Sequence, residues 1–177
     1  GDLLNDGTVT IFNTDDMNKW LVSGGRLIGN GGIFTGPIYV NGQLAPGNSA
    51  GVLTFDDLYM GSTSVTEMEI FGTECQVEYD QLVINGKFFA DGTLKIIFGR
   101  GFVPQPGMEF LLFNVSPDTG WIGSAFREIA YEGLPVEMIG LMDYPQPTGM
   151  LHVIPEPATM ALLGLGSVLL LRCRRRR

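Results

Sequence analysis

Residues 29–54 read GNGGIFTGPIYVNGQLAPGNSAGVLT, and this stretch decides between two β folds that the chain could form. Its apolar runs are short, and Gly or Asn separates most of them. Strands this short are marginal as isolated hairpins. In a parallel β-helix each short strand pairs with the coils above and below it. The stretch therefore favours a parallel β-helix over a β-sandwich, which regular strand spacing would also allow.

The composition of the whole chain supports β structure. Of its 177 residues 25 are Gly, and Val, Ile, Thr and Phe are plentiful, which is typical of strands joined by many turns. The apolar fraction of 45% is too high for a disordered chain. Turn pairs such as Asn41-Gly42 separate the apolar runs. Strands are predicted at residues 8–12, 20–22, 26–28, 33–34, 38–40, 43–45, 52–55, 58–60, 64–70, 81–84, 88–90, 93–98, 109–114, 126–130, 136–139 and 151–153.

The C-terminal end of the chain consists of three different parts. The first is Pro155-Glu156-Pro157, which the two prolines hold extended because Pro disfavours helix in the residue before it. The second is an uncharged apolar stretch that includes Ala158, Leu162, Leu163, Gly164, Leu165, Gly166, Leu169, Leu170 and Leu171. The third is a basic cluster formed by Arg172, Arg174, Arg175, Arg176 and Arg177.

The apolar stretch, residues 158–171, predicts one C-terminal transmembrane α-helix. Its Ala, Leu and Met favour helix. At ~1.5 Å per residue the stretch spans roughly 21 Å, which is less than the ~30 Å hydrocarbon core. Arginine side chains extend such a span by reaching toward the membrane surface. The positive-inside rule then places the basic cluster in the cytoplasm and the rest of the chain outside.

Charge is divided unequally along the chain. All 19 acidic residues precede Ala158, and five of the 11 basic residues follow Leu171, so residues 1–157 hold six basic against 19 acidic residues, a net charge of −13. An acidic body argues against nucleic acid as a partner, because phosphates require a cationic surface. One histidine, His152, and two separated cysteines, Cys75 and Cys173, predict no metal centre, cofactor or disulfide framework.

The order of the three C-terminal parts resembles the PEP-CTERM sorting signal of Gram-negative bacteria and their relatives, over about residues 152–177. The resemblance implies export by the general secretion route, then recognition by an exosortase, a membrane protease that would cut near the Pro-Glu-Pro motif. It assigns recognition to Pro155, Glu156 and Pro157, membrane insertion to residues 158–171, and the cytoplasmic stop to Arg172 and residues 174–177. Cys173 departs from the pattern.

A second resemblance covers about residues 24–115. The segments VNG (residues 40–42), LAPGNSAG (44–51) and YDQLVING (79–86) are similar to passenger repeats of autotransporter-type proteins. The resemblance implies the end of a right-handed parallel β-helix, with an antiparallel cap near residues 88–151. Since the first residues already read as mid-repeat, we expect residues 1–151 to be the C-terminal part of a longer passenger-like body. Residues 152–177 form the sorting and membrane-anchor segment.

No catalytic constellation is evident in the body. Ser49 lacks the strand–turn–helix setting of a nucleophile. Calcium sites are disfavoured because neither the nonapeptide repeat nor an EF-hand spacing is present. Paired carboxylates can act as general acid and base, but we interpret these as strand ends and turns because no Lys or Arg has a matching spacing. The pairs are Asp15-Asp16, Asp56-Asp57 and Glu67-Met68-Glu69.

These observations predict a non-enzymatic cell-surface or extracellular-matrix structural protein, sorted and processed by an exosortase. Its partners would be the membrane, the exosortase, and exopolysaccharide or another protein. Two alternatives stay open. One is a surface-binding module for glycan or ice, although Thr8, Thr10, Thr35 and Thr54 form no regular ladder. The other is a fragment of a polysaccharide-active β-helix enzyme.

Overall fold

The computed structural model describes residues 3–4, 8–10, 22–47, 50–118, 122, 125–143 and 148–156, and every regular element among them is a β-strand. The prediction of an all-β body is confirmed for this part of the chain. Thirteen strands follow in chain order: β1 (Leu3–Leu4), β2 (Thr8–Thr10), β3 (Val22–Gly29), β4 (Gly32–Pro46), β5 (Val52–Met60), β6 (Val65–Ile70), β7 (Gln81–Ile84), β8 (Phe88–Phe89), β9 (Thr93–Phe98), β10 (Glu109–Val115), β11 (Glu128–Glu132), β12 (Met138–Asp143) and β13 (Thr148–Pro155).

Most strands pair in parallel with a strand from the next pass of the chain. Gly32 of β4 lies opposite Leu53 of β5, Leu53 lies opposite Leu82 of β7, and Leu82 lies opposite Phe113 of β10. The same direction and register hold for β6, β9 and β11. The chain thus returns to the same place pass after pass, and each short strand finds its backbone partners on the passes before and after it.

Five predicted strands merge into two continuous strands in the structure. The runs at 33–34, 38–40 and 43–45 form the single strand β4, and those at 52–55 and 58–60 form β5. The register of β4 on β5 shifts between Phe34 and Pro37. Gly36 takes the bend with a φ of 88°, and its N–H donates to Asp56 Oδ2 at 3.0 Å. The glycine therefore bends the strand instead of ending it.

The interior of these passes is a single apolar core. Side chains alternate between buried and half-buried along β9, and along β5 except at Asp56 and Asp57, which is the period of a strand with one face inward. Because the passes are in register, inward residues lie beside inward residues, and the rings of Phe34 and Phe55 stack at 4.8 Å. Phe88 and Phe113 stack in the same interior, with centroids 5.5 Å apart.

The antiparallel cap begins later than predicted. Residues 93–98 and 128–132 were expected to belong to it, yet β9 pairs in parallel with β6 and β11 pairs in parallel with β9. β6 and β9 match in length and alternation, and Lys95 of β9 lies between the carboxylates of its two neighbours, with Nζ 3.5 Å from Glu67 Oε1 and 3.0 Å from Glu132 Oε2. Antiparallel pairing among the described strands is confined to β10, β13 and β12, and β13 runs past residue 151 to Pro155.

The strand path runs from β11 at one end to β12 at the other, and the sheet nearly closes around the core. Tyr131 of β11 makes the contact between the two ends. Its hydroxyl donates to the carbonyl oxygen of Gly140 in β12 at 2.9 Å. A Cβ at position 140 would come within 2.4 Å of the Tyr131 ring, so glycine is what lets the ring lie there.

The stacked phenylalanines predict a large loss of stability on truncation. Phe55 is fully buried, and Phe55→Ala should lower the free energy of unfolding by about 3–5 kcal/mol. Urea unfolding followed by circular dichroism would measure it. Val136→Ala is the matched control, because Val136 is 90% exposed and should change stability little. Similar losses in the two variants would contradict this assignment of the core.

Candidate sorting end and candidate binding groove

The predicted processing motif begins inside the folded sheet. Pro155 is the last residue of β13 and lies opposite Met138 of β12. The next residue, Glu156, donates its backbone N–H to the carbonyl oxygen of Glu137 at 2.8 Å. Pro155 is extended, as its sequence context predicts, and both residues are half-buried beside β12. The start of the motif is therefore held by the neighbouring strand.

The remainder of the predicted sorting segment lies outside the described residues. This holds for Pro157, for the membrane residues Ala158, Leu162, Leu163, Gly164, Leu165, Gly166, Leu169, Leu170 and Leu171, and for Arg172, Arg174, Arg175, Arg176 and Arg177. Among the residues that the structure does describe, none belongs to a helix that could cross a bilayer. The transmembrane helix and the cytoplasmic position of the arginines stay predictions.

A buried carboxylate joins three segments of the chain near the start of β5. Asp80 is 1% exposed and accepts the N–H of Gly51 through Oδ1 at 2.7 Å and the N–H of Glu69 through Oδ2 at 2.8 Å. Gln81 next to it donates its N–H to the carbonyl oxygen of Gly51 at 3.0 Å. A Cβ on Gly51 would lie 2.3 Å from the backbone nitrogen of Gly47, so this corner admits no side chain.

Burial raises the pKa of Asp80 from 3.8 to about 7, although the N–H donors of Glu69 and Gly51 oppose the shift by favouring the charged form. The carboxyl group is consequently near half-protonated in the folded protein at neutral pH. In the unfolded chain it ionises near its ordinary value.

Of the other paired acidic residues, Asp56, Asp57 and Glu67 accept backbone N–H groups or contact polar and charged side chains. Asp57 Oδ1 accepts the N–H of Lys87 at 2.7 Å, and Asp56 holds Gly36 as described above. Glu67 contacts Lys95 and the side-chain amide of Gln43. Asp15, Asp16 and Ser49 lie outside the described residues. Within the described part of the chain, no group of three or more His, Cys, Asp and Glu side chains could hold a metal ion.

A groove of about 470 Å³ lies on the outer surface beside a row of aromatic side chains. We call it the aromatic groove, and Tyr39, Asn41, Tyr59, Met60, Gly61, Ser62, Phe89, Asp91 and Arg127 line it. The rings of Tyr39 and Tyr59 stack at 4.7 Å with 12° between their planes. Burial, the charge of Asp57 and the neighbouring Tyr39 raise the pKa of Tyr59.

Sequence reasoning did not find this groove, because its aromatic residues come from separate stretches of the chain. A usable signal existed. The triplets Ile38-Tyr39-Val40 and Leu58-Tyr59-Met60 repeat one pattern, a tyrosine between two apolar residues, on consecutive passes. In strands that pattern places both tyrosines on the outer face, side by side.

The fold and this chain end define an all-β protein with a C-terminal protein-sorting signal. The family profile of the PEP-CTERM protein-sorting motif matches residues 153–177. The motif indicates a secreted or cell-surface protein that an exosortase sorts. No curated protein and no solved structure matches the chain.

Asp80 predicts an unusual pH dependence of stability. The pKa of Asp80 in the folded state is about 7 and exceeds the ordinary 3.8, so the folded state binds the proton more tightly than the unfolded state does. The resulting contribution to the free energy of unfolding is fully present below about pH 4. As pH rises toward 7, it should fall by up to about 1.4 kcal/mol per pH unit. Urea unfolding at successive pH values would measure the slope.

Asp80→Asn should remove this slope, because the amide does not titrate. Asp57→Asn is the control, since it also removes a carboxylate that accepts a backbone N–H, but a half-buried one. If the pH profile of Asp80→Asn matched that of the unchanged protein, the carboxyl of Asp80 would not be the group responsible.

Proposed function

We propose that the protein is a non-enzymatic cell-surface or extracellular-matrix structural protein, sorted and processed by an exosortase through its C-terminal signal. The described body would be the end of a right-handed parallel β-helix, anchored by a transmembrane helix at residues 158–171 until processing. Recognition would involve Pro155, Glu156 and Pro157. The matched sorting motif at residues 153–177 is the observation that carries this proposal.

The position of the motif supports direct coupling between the body and the membrane. Pro155 is the last strand residue of β13, and only Glu156 and Pro157 separate it from Ala158. With no longer linker, the folded body would lie close to the membrane surface until the protease acts. The adjacent β12–β13 hairpin would then be the part of the body that an exosortase meets.

The acidic side chains of the body support a structural role. A carboxylate that works as a general acid or base must reach substrate. The carboxylates of Asp56, Asp57 and Asp80 instead accept backbone N–H groups from neighbouring passes. They satisfy backbone N–H groups at a strand bend and at strand ends, which is a use that requires no substrate.

Replacing the arginine cluster tests the sorting proposal. Changing Arg172 and residues 174–177 to serine should weaken membrane retention and reduce processing, because the stop signal depends on positive charge. Changing the same five residues to lysine is the matched control and should preserve both. Membrane fractionation and mass spectrometry of the mature C-terminal residue are the measurements. Full-length unchanged chain found soluble in the cytosol would contradict the proposal.

The pairing of β13 with β12 predicts that the motif must open before it is cut. Ile139 lies opposite Ile154, so Ile139→Cys with Ile154→Cys would link the strands beside the motif in a background lacking Cys75 and Cys173. Processing should stop under oxidising conditions and resume on reduction. Immunoblotting of precursor and product would follow it.

The control for the linked hairpin is Asp143→Cys with Met150→Cys, an opposed pair at the far end of the same hairpin. It should leave processing unchanged, because it does not restrain Pro155 or Glu156. If the chain linked at residues 139 and 154 were cut as fast as the control, the protease would act without opening the strand end.

A further inference from the structure

The aromatic groove is built by side chains that stack in register on successive passes. Tyr39 of β4 lies opposite Tyr59 of β5, and Tyr59 lies opposite Phe89 of β8. All three are half-buried, whereas their chain neighbours Ile38 and Leu58 are fully buried, so the row is on the outer face.

The row extends beyond β8. Ile122 donates its N–H to the carbonyl oxygen of Phe88 at 2.8 Å, which places Ile122 beside this strand, and its side chain is 38% exposed. Tyrosine, tyrosine, phenylalanine and isoleucine thus form a narrow apolar stripe along the axis of the stack. Because the strands are ~4.8 Å apart, the stripe presents similar groups at regular intervals.

The orientation of the rings determines what a ligand would touch. Tyr39 and Tyr59 lie face to face, so each covers one face of the other. They contribute ring edges and phenol groups to the wall of the groove. A tyrosine offers apolar area and a hydrogen-bonding group at a small cost in conformational entropy.

Polar groups also line the aromatic groove. Arg127 donates to Asp91 twice, with Nε to Oδ1 at 2.5 Å and Nη2 to Oδ2 at 3.2 Å. The ion pair is held flat by this two-point contact, and the side chain of Arg127 remains 66% exposed. Asn41 is fixed nearby, where its Oδ1 accepts the hydroxyl of Thr63 at 2.7 Å.

We propose that the aromatic groove binds an uncharged saccharide chain. A sugar ring carries apolar C–H groups and a rim of hydroxyls, and these match the aromatic wall and the paired Asp91 and Arg127 respectively. A saccharide polymer also repeats along its length, as the stripe does. This inference names the class of ligand for the contact with exopolysaccharide. It rests on the proposed function in one respect, which is that the protein reaches the outside of the cell, where such a ligand is found.

The charge of the protein argues against acidic polysaccharides and anionic membranes as ligands of the aromatic groove. The carboxylate of Asp91 neutralises Arg127, and residues 1–157 carry a net charge of −13. Acidic polysaccharides and anionic membranes would therefore be repelled by the surrounding surface. A protein partner would need a broader apolar patch than one stripe of side chains.

Calorimetric titration of the purified full-length chain in detergent micelles would test the inference. The probes are uncharged gluco-, manno- and galacto-oligosaccharides, with alginate and anionic lipid vesicles as charged comparisons. At least one uncharged oligosaccharide should bind, and neither charged probe should bind more tightly. Absence of binding to every uncharged probe, or preference for alginate or vesicles, would overturn the inference.

Variants locate the binding. Tyr59→Ala and Arg127→Met should each weaken saccharide affinity by roughly tenfold, the loss of about 1.4 kcal/mol. Tyr59→Phe keeps the stacked ring and removes only the hydroxyl, so it shows the effect of losing the phenol group in a folded protein. The unfolding midpoint of every variant would show whether it is folded. Phe71→Ala is the control, because Phe71 is a half-buried aromatic residue under Arg100 in a different groove. Equal weakening by the control would overturn the inference.

Failure of the saccharide proposal can be distinguished from failure of the sorting proposal. Binding is measured on purified protein and sorting is measured in cells. A chain that binds saccharide but is not processed would contradict only the sorting proposal. A chain that is processed normally but binds no uncharged saccharide would contradict only the inference about the groove.

Discussion

Register between successive passes of the chain is the constraint on which the rest of this structure depends. From Gly32 opposite Leu53 to Phe34 opposite Phe55, and again after the shift at Gly36, inward side chains of β4 meet inward side chains of β5. A shift of one residue would exchange the two faces and place phenylalanines in water. The phenylalanine stack in the core precedes the shift at Gly36 and the tyrosine stack outside follows it, and inward residues face inward residues on both sides of that shift.

Asp80 shows how distant segments of sequence maintain that alignment. It belongs to the segment YDQLVING, whereas Gly51 ends the segment LAPGNSAG, and the carboxylate of the first accepts the N–H of the second. Both segments had been singled out by sequence for resemblance to one type of repeat. Their contact gives a physical reason for the pairing: a buried acceptor needs donors, and a corner without side chains exposes a backbone N–H to it.

Much of the β structure was predictable, since alternation and Gly turns are local signals. β7 and β9 were predicted with their observed bounds. The continuity of β4 was not, because Gly36 looks like a turn residue and only its bond to Asp56 shows that it bends a strand. The start of the cap was misplaced because parallel and antiparallel strands have the same local pattern. Of the two candidate sites, the sorting signal lies in contiguous sequence, whereas the aromatic groove requires knowing which passes are neighbours.

The contact between Tyr131 and Gly140 has a consequence for self-association. A sheet whose terminal strands are open can recruit strands from other molecules and grow into filaments. Here a ring from the first strand of the path covers part of the last one, and its hydroxyl occupies a carbonyl that an incoming chain would need. The contact thereby protects the protein against polymerising through that edge.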